Sequence, residues 1–519
     1  MSKFKLLLLF VLFMTVGYFG RPWVDQFIPG QASKKTMPDL GTIYQRSATQ
    51  ENTIRNPVIV IPGMMGSKLV DVKANRTIWG VFNNESIDPA IPEDVRLLAC
   101  PIDGADLDLF DDGVKATGVL DTLQINIAGL LLNHKAYLNI LQMLGVGGYR
   151  DEELGMSGAI DYGDRHFNCF QFPYDWRRDN AYNAQKLHAF LLQRKAYVEA
   201  ERKQRYGIDE PVKFDIVAHS MGGLLTRYYL RYGDQGPAGN GYAPQLNWAG
   251  CENIDRAILI GTPNNGSAKS MIATHEGFSF SFLLGSFPSG LVASLPSIYQ
   301  LLPNGPEYIM YDDQSGQPLN LFDIETWDHR GWGLLNPDQD SVLQQLLPNI
   351  SSPQQRRAIA KAHVHACLAR ASAFHRSLNV PANPPPGTTI HLFAGDAIPT
   401  MESISSNLES RTLSSRTESP GDSTVTRKSA MADQRTARNW VPTLQSPIRF
   451  SDIRFLFDDH FGLTSNTEFT DNALYLLLED PSKSSPARAL QVGISPGNGS
   501  TQMPGKSLKQ MPGKQMLNQ

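Results

Sequence analysis

The chain has 519 residues, more than one simple core takes, so it is read as one core with large insertions or as two domains. Its formal net charge is −4 and it has no basic cluster, which excludes a nucleic-acid partner. The four cysteines, Cys100, Cys169, Cys251 and Cys367, have no metal-ligand spacing; no metal or cofactor is expected, and the thiols stay free or form at most two disulfides.

The N-terminus is basic (MSKFK) and is followed by an uncharged apolar run over 6–20 that ends at Arg21. The run is shorter than the roughly 20 residues that span a bilayer. Segment 1–32 therefore reads as a secretory signal or a short membrane anchor, with "GQA" at 30–32 a distant processing site, and it implies export. Next, "NPVIVIPGMMGSKL" (56–69) predicts a strand over 57–61 running into a glycine-rich turn. Gly63 and Gly66 free the backbone there to present N–H groups to a ligand. The N–H of Met64 is the candidate donor, with that of Met65 as the alternative.

"PYDWRRD" (173–179) follows, where Tyr174 and Trp176 suit a structural role beside a strand end and Arg177 and Arg178 read alternatively as a solvated pair. The run 212–217 is β-branched and predicts a buried strand; 224–232 predicts a helix stopped by Gly233. Between them stands "AHSMG", placing Ser220 on a strand–turn–helix corner. A serine on so sharp a corner is a nucleophile elbow: its hydroxyl stands clear of the sheet, and small neighbours let helix and strand pass closely. Gly222 fits that need, and Ala218 is the smallest departure from glycine. The Met221 N–H then faces the place where an acyl oxygen becomes negative. His219, adjacent to the serine, is expected only to pack.

"GFSFSFLLGSF" (277–287) reads as a buried or cap segment, or as a surface that meets lipid. A nucleophilic serine also needs an acid and a histidine, in that chain order. The stretch 388–400 gives a strand ending at Asp396, and the polar stretch 402–424, read as a long loop, offers Asp422; either carboxylate is a candidate acid. "IRFLFDDHFGLTS" (453–465) gives a last strand and then His460, in the position of the base. The tail 481–519 is rich in Pro, Gly, Ser and Lys, repeats "QMPGK", and is expected to be disordered.

Taken together, "IVIPGMMGSKL", "QFPYDWRRD", "VAHSMGGLLTRYYL", "ILIGTPNNGSAKS", "FPSGLVASLPSIYQLLP", "GDSTVTRKSA" and "HFGLTSNTEFTDNAL" resemble the lecithin:cholesterol acyltransferase family, in order through 56–474. The resemblance implies an α/β-hydrolase domain over 50–480, with cap insertions near 76–150 and 270–385. It implies Asp422 as the acid, Ser220 and His460 as nucleophile and base, and the backbones of Met64 and Met221 as oxyanion donors. Segment 79–104 occupies the place of the family's lid, but the cysteine spacing does not reproduce the lid disulfide. The implied activity is a lipid O-acyltransferase or phospholipase. It would act on glycerolipid esters at a lipid surface and pass the acyl group to an alcohol acceptor or to water. A lipase using only water shares every one of these residues; a non-catalytic lipid-binding protein does not need them.

Overall fold

The tetrapeptide Val58–Ile61 is VIVI, and all four side chains are buried. A continuous apolar run of this kind suits a strand covered on both faces, as in a parallel sheet between helices. A computed structural model describes residues 38–49, 55–80, 87, 91–104, 107, 111–120, 122–127, 130–135, 137–236, 244–278, 287–307 and 309–480. The N-terminal signal or anchor and the C-terminal tail lie outside these residues. Among the described residues, no helix is long and apolar enough to cross a membrane.

Six strands form the central sheet: β1 (Val58–Ile61), β2 (Cys169–Gln171), β3 (Phe214–His219), β4 (Ile254–Ile260), β5 (Thr389–Gly395) and β6 (Asp452–Leu456). Their order is β6-β5-β4-β3-β1-β2. Every neighbouring pair is parallel. Around the sheet pack α1 (Asn180–Tyr206), α2 (Met221–Tyr232), α3 (Pro353–Leu378) and α4 (Thr467–Leu478). This is the α/β-hydrolase fold. The register sets Ile61 beside Ala218 and His219 beside Ile260, so the carboxyl ends of β1, β3 and β4 share one edge. Ligand chemistry in open parallel sheets collects at that edge.

Predicted boundaries shift by a few residues: β3 runs through His219, and α2 starts directly at Met221. The stretch 402–424 is not a long loop. Ile398–Ser406 pairs antiparallel with Leu413–Gly421, and Met310–Asp312 adds on the far side of the first strand. Residues 414–418 of the outer strand are all exposed. A strand wet on both faces carries no apolar alternation, which is why its sequence reads as loop.

All four cysteines are free and buried. The segment 277–287 is described only at its ends, where Phe278 and Phe287 exchange backbone hydrogen bonds and stack at 5.0 Å. Phe280 and Phe282 lie outside the described residues.

The "PYDWRRD" motif is structural, and its arginines are not a solvated pair. Tyr174 donates its hydroxyl to the Pro62 carbonyl at 3.0 Å, and the Trp176 indole donates to the Ser67 carbonyl at 3.1 Å. Both ends of the glycine-rich turn after β1 are thereby held. Arg177 has no exposed surface. Its guanidinium donates to the Asp175 carboxylate and to Asp112 Oδ2 at 2.8 Å. It also donates to the carbonyls of Leu97, Leu98 and Ala99 at 3.2, 3.4 and 3.3 Å. These carbonyls terminate the helix Pro92–Leu98. Asp179 caps α1, accepting from the Ala181 and Tyr182 N–H groups.

Removing one member of such a buried ion cluster leaves the others charged and unpaired, at a cost of about 3–5 kcal/mol. Arg177→Met is therefore expected to lower the urea midpoint of unfolding sharply, whereas Arg178→Met, with its guanidinium stacked on Tyr182 at 3.8 Å, costs much less. Equal midpoints for the two variants would refute the assigned role of Arg177.

Candidate active site

The site is built on the edge where β1, β3, β5 and β6 end. Ser220 stands between β3 and α2 with φ = 54°, a left-handed conformation that a side chain rarely adopts. The corner is possible because its neighbours are small. A methyl group at Gly222 would lie 2.4 Å from the Pro62 carbonyl oxygen, and one at Gly223 would lie 2.0 Å from Thr262 Oγ1. Ala218, in place of the usual glycine, fits because its methyl is absorbed in the core with no exposed surface.

His460 follows β6. Its Nε2 lies 2.9 Å from Ser220 Oγ, and its Nδ1 lies 2.8 Å from Asp422 Oδ2. Three residues from three remote segments thus form one hydrogen-bonded line. Asp422 is almost fully buried, and its other oxygen accepts the N–H groups of Thr424 at 2.9 Å and Val425 at 2.6 Å. Burial alone raises its pKa, but the adjacent His460 and these N–H donors outweigh that and hold it below the usual carboxylate range. The rival carboxylate, Asp396, is engaged elsewhere: it takes Arg427 Nη1 at 2.8 Å.

The turn after β1 packs directly on the serine. A methyl at Gly63 would come 2.8 Å from Ser220 Cβ. The Gly63 N–H is used by the Tyr137 hydroxyl at 2.7 Å. The next residue, Met64, is half-buried, and Met65 has φ = 64°. Met221 is the first residue of α2, so its N–H has no partner within the helix. The turn that carries Met64 thus adjoins Ser220, and Met221 follows the serine directly in the chain. Among the described residues no group of His, Cys, Asp and Glu is arranged to hold a metal ion.

His219 does more than pack. Its Nδ1 lies 3.1 Å from the Tyr137 hydroxyl and its Nε2 lies 2.9 Å from the backbone carbonyl of His460. The sequence offered only its adjacency to Ser220, and the partner at 460 is 241 positions away.

The family model for lecithin:cholesterol acyltransferase matches residues 110–330. Over that segment the chain is similar to the lecithin:cholesterol acyltransferase family. The segment spans the elbow at Ser220 and the Arg177 clamp; the turn after β1, Asp422 and His460 lie outside the matched residues. No curated protein matches the chain significantly. Among solved structures, a chain of the Tle4–Tli4 complex aligns over 82% of this chain and 98% of its own, at 16% identity and a TM-score of 0.48. The mature Bacillus licheniformis lipase BlEst2 aligns over 83% of this chain and 95% of its own, at 12% identity and a TM-score of 0.30. EstA from Clostridium botulinum aligns over 82% and 89%, at 12% identity and a TM-score of 0.32.

Three histidines of this fold are held neutral by burial. His219 is pushed down to about 3, chiefly by burial and then by the His460 charge. His363 and His375 are each pushed down to about 4, again chiefly by burial. The unfolded chain takes up these protons near the ordinary histidine pKa of about 6.5. Below that pH the unfolded state binds more protons than the native one, so stability falls as pH drops from about 6.5 toward 4. The depressed Asp422 carboxyl acts in the same direction at lower pH. The expected result is a lower urea midpoint at pH 4.5 than at pH 7. A flat or rising midpoint over that interval would contradict the neutral assignment.

Proposed function

We propose that the chain is a serine-dependent lipid O-acyltransferase or phospholipase acting on glycerolipid esters. The observation that carries this reading is the hydrogen-bonded line Ser220–His460–Asp422, set on a strained corner at the sheet edge. His460 takes the hydroxyl proton as Ser220 attacks the ester carbonyl. Asp422 holds the imidazole in the required tautomer and stabilises its cation. The Met64 and Met221 N–H groups receive the developing oxyanion, and loss of one such donor typically costs about 10²–10³-fold in rate. Collapse of the tetrahedral intermediate expels the lysolipid alcohol, protonated by His460, and leaves an acyl-serine. The acyl group then passes to an alcohol acceptor or to water.

Two observations support a lipid substrate. Residues 110–330 match a family whose name states a lipid acyl transfer. Phe457 and Phe461, three residues before and one after His460 in the chain, are 73% and 46% exposed, apolar side chains open to a lipid surface near the base in sequence. Nucleophile assignment is tested with a fluorophosphonate probe followed by peptide mapping, and labelling at any residue other than Ser220 would overturn it. The acceptor is tested with a radiolabelled phospholipid, with and without a long-chain alcohol or sterol. Ester product in the presence of the alcohol supports transfer; fatty acid alone supports a hydrolase.

A further inference from the structure

We propose that Tyr137 and His219 are positioning residues that tie the oxyanion turn to the backbone of the base, so that donor and base move as one unit. The inference rests on the reading of Ser220 and His460 as nucleophile and base. It starts from the directions in which protons can point. The Tyr137 oxygen accepts the Gly63 N–H at 2.7 Å, so its own proton is free to go to His219 Nδ1 at 3.1 Å. With Nδ1 accepting, the neutral ring carries its proton on Nε2. That proton goes to the His460 carbonyl oxygen at 2.9 Å. For the neutral ring that burial favours, only this assignment satisfies all three bonds, since the carbonyl can only accept and the Gly63 N–H can only donate.

Every member of the line is enclosed. Tyr137 and His219 have about 1% of their surface exposed. The His219 ring lies 4.8 Å from that of His460 and 5.6 Å from that of Phe461. Tyr137 also fills the space beside Gly66, where a methyl group would meet its ring at 2.7 Å. One end of the line therefore fixes the turn that carries Met64, and the other fixes the carbonyl of the residue whose ring faces Ser220. A hydrogen bond inside such a dry network is stronger than in water, and losing one leaves its partners buried and unsatisfied. Neither residue touches the reacting atoms; both act through Gly63 and His460.

The test is the rate of Ser220 labelling by a fluorophosphonate in the full chain, with melting followed in parallel. Gln at position 219 places an amide N–H where Nε2 stood, and Asn places one near Nδ1 instead. His219→Gln is therefore expected to keep the bond to the His460 carbonyl and to label within about fivefold of wild type, while His219→Asn labels about 10- to 100-fold more slowly; a misplacement of 1 Å can cost about 100-fold. Tyr137→Phe is expected to fall with His219→Asn, at a melting temperature close to that of His219→Gln. If wild type labels and His219→Asn and Tyr137→Phe label at the wild-type rate, the inference is overturned. Equal slowing of the Gln and Asn variants also overturns it, because a packing role does not distinguish them. Absence of labelling in wild type itself would instead defeat the nucleophile assignment.

Discussion

Ser220→Ala is expected to lower kcat for ester cleavage by at least ~10⁴-fold while the protein remains folded. The hydroxyl is the group that His460 Nε2 faces at 2.9 Å, and alanine leaves that nitrogen without a proton to take. The backbone conformation at 220 is costly for serine and alanine alike, because both carry a Cβ in a left-handed conformation. The substitution therefore neither relieves nor adds strain, and it removes no core contact. Thermal melting should shift by little, as expected for a change worth about 1 kcal/mol or less. The check is paired: turnover of a soluble ester and a melting curve on the same preparation. Ester cleavage retained at more than a small fraction of wild type, after excluding a contaminating esterase, would mean that the acyl group is never on Ser220.

Asp422→Asn is expected to cost about 10⁴-fold in kcat, with KM changed far less. A carboxylate at 2.8 Å accepts the Nδ1 proton and stabilises the imidazolium that forms when Ser220 gives up its own. Asparagine fits the same space, but if its amide nitrogen donates to Nδ1, the ring is held in the tautomer that cannot take the serine proton. The Thr424 and Val425 N–H groups bind Oδ1 and have no use for a donor there, so they orient the amide with its nitrogen toward His460. Asp396→Asn is the control. Its carboxylate pairs with Arg427, which is nearly half exposed, so kcat should stay within about threefold of wild type. A larger loss at 396 than at 422 would reverse the assignment of the acid.

Much of the site is legible in the sequence because its parts are local. The corner at Ser220 needs Gly222 within two residues, the turn after β1 needs Gly63 and Gly66 within a tetrapeptide, and His460 follows the last strand directly. The choice between Asp396 and Asp422 was not local. Position in the chain leaves both carboxylates open, the resemblance implies Asp422, and only the fold brings Asp422 onto His460 across 38 positions. The hairpin over 398–421 was hidden because its outer strand is wet on both faces. The role of His219 is hidden in the sequence for a related reason. Periodicity shows that a residue is buried, but not that the carbonyl of a residue more than two hundred positions later lies beside it. Likewise "PYDWRRD" suggested structural aromatics, yet nothing in the motif says that one guanidinium closes on three carbonyls of a distant helix end.

The fastening of residues 97–99 by a guanidinium, in a protein whose four cysteines are all reduced and buried, makes that attachment a reversible one. A covalent staple opens only through thiol exchange, on a timescale set by the available reductant. Hydrogen bonds from Arg177 can break and re-form within the lifetime of the native state, with no chemical step. The hold on residues 97–99 is therefore one that dithiothreitol leaves untouched. Its resistance to breaking comes from solvation: losing the three carbonyls leaves a fully dry cation with only the Asp175 and Asp112 carboxylates as partners.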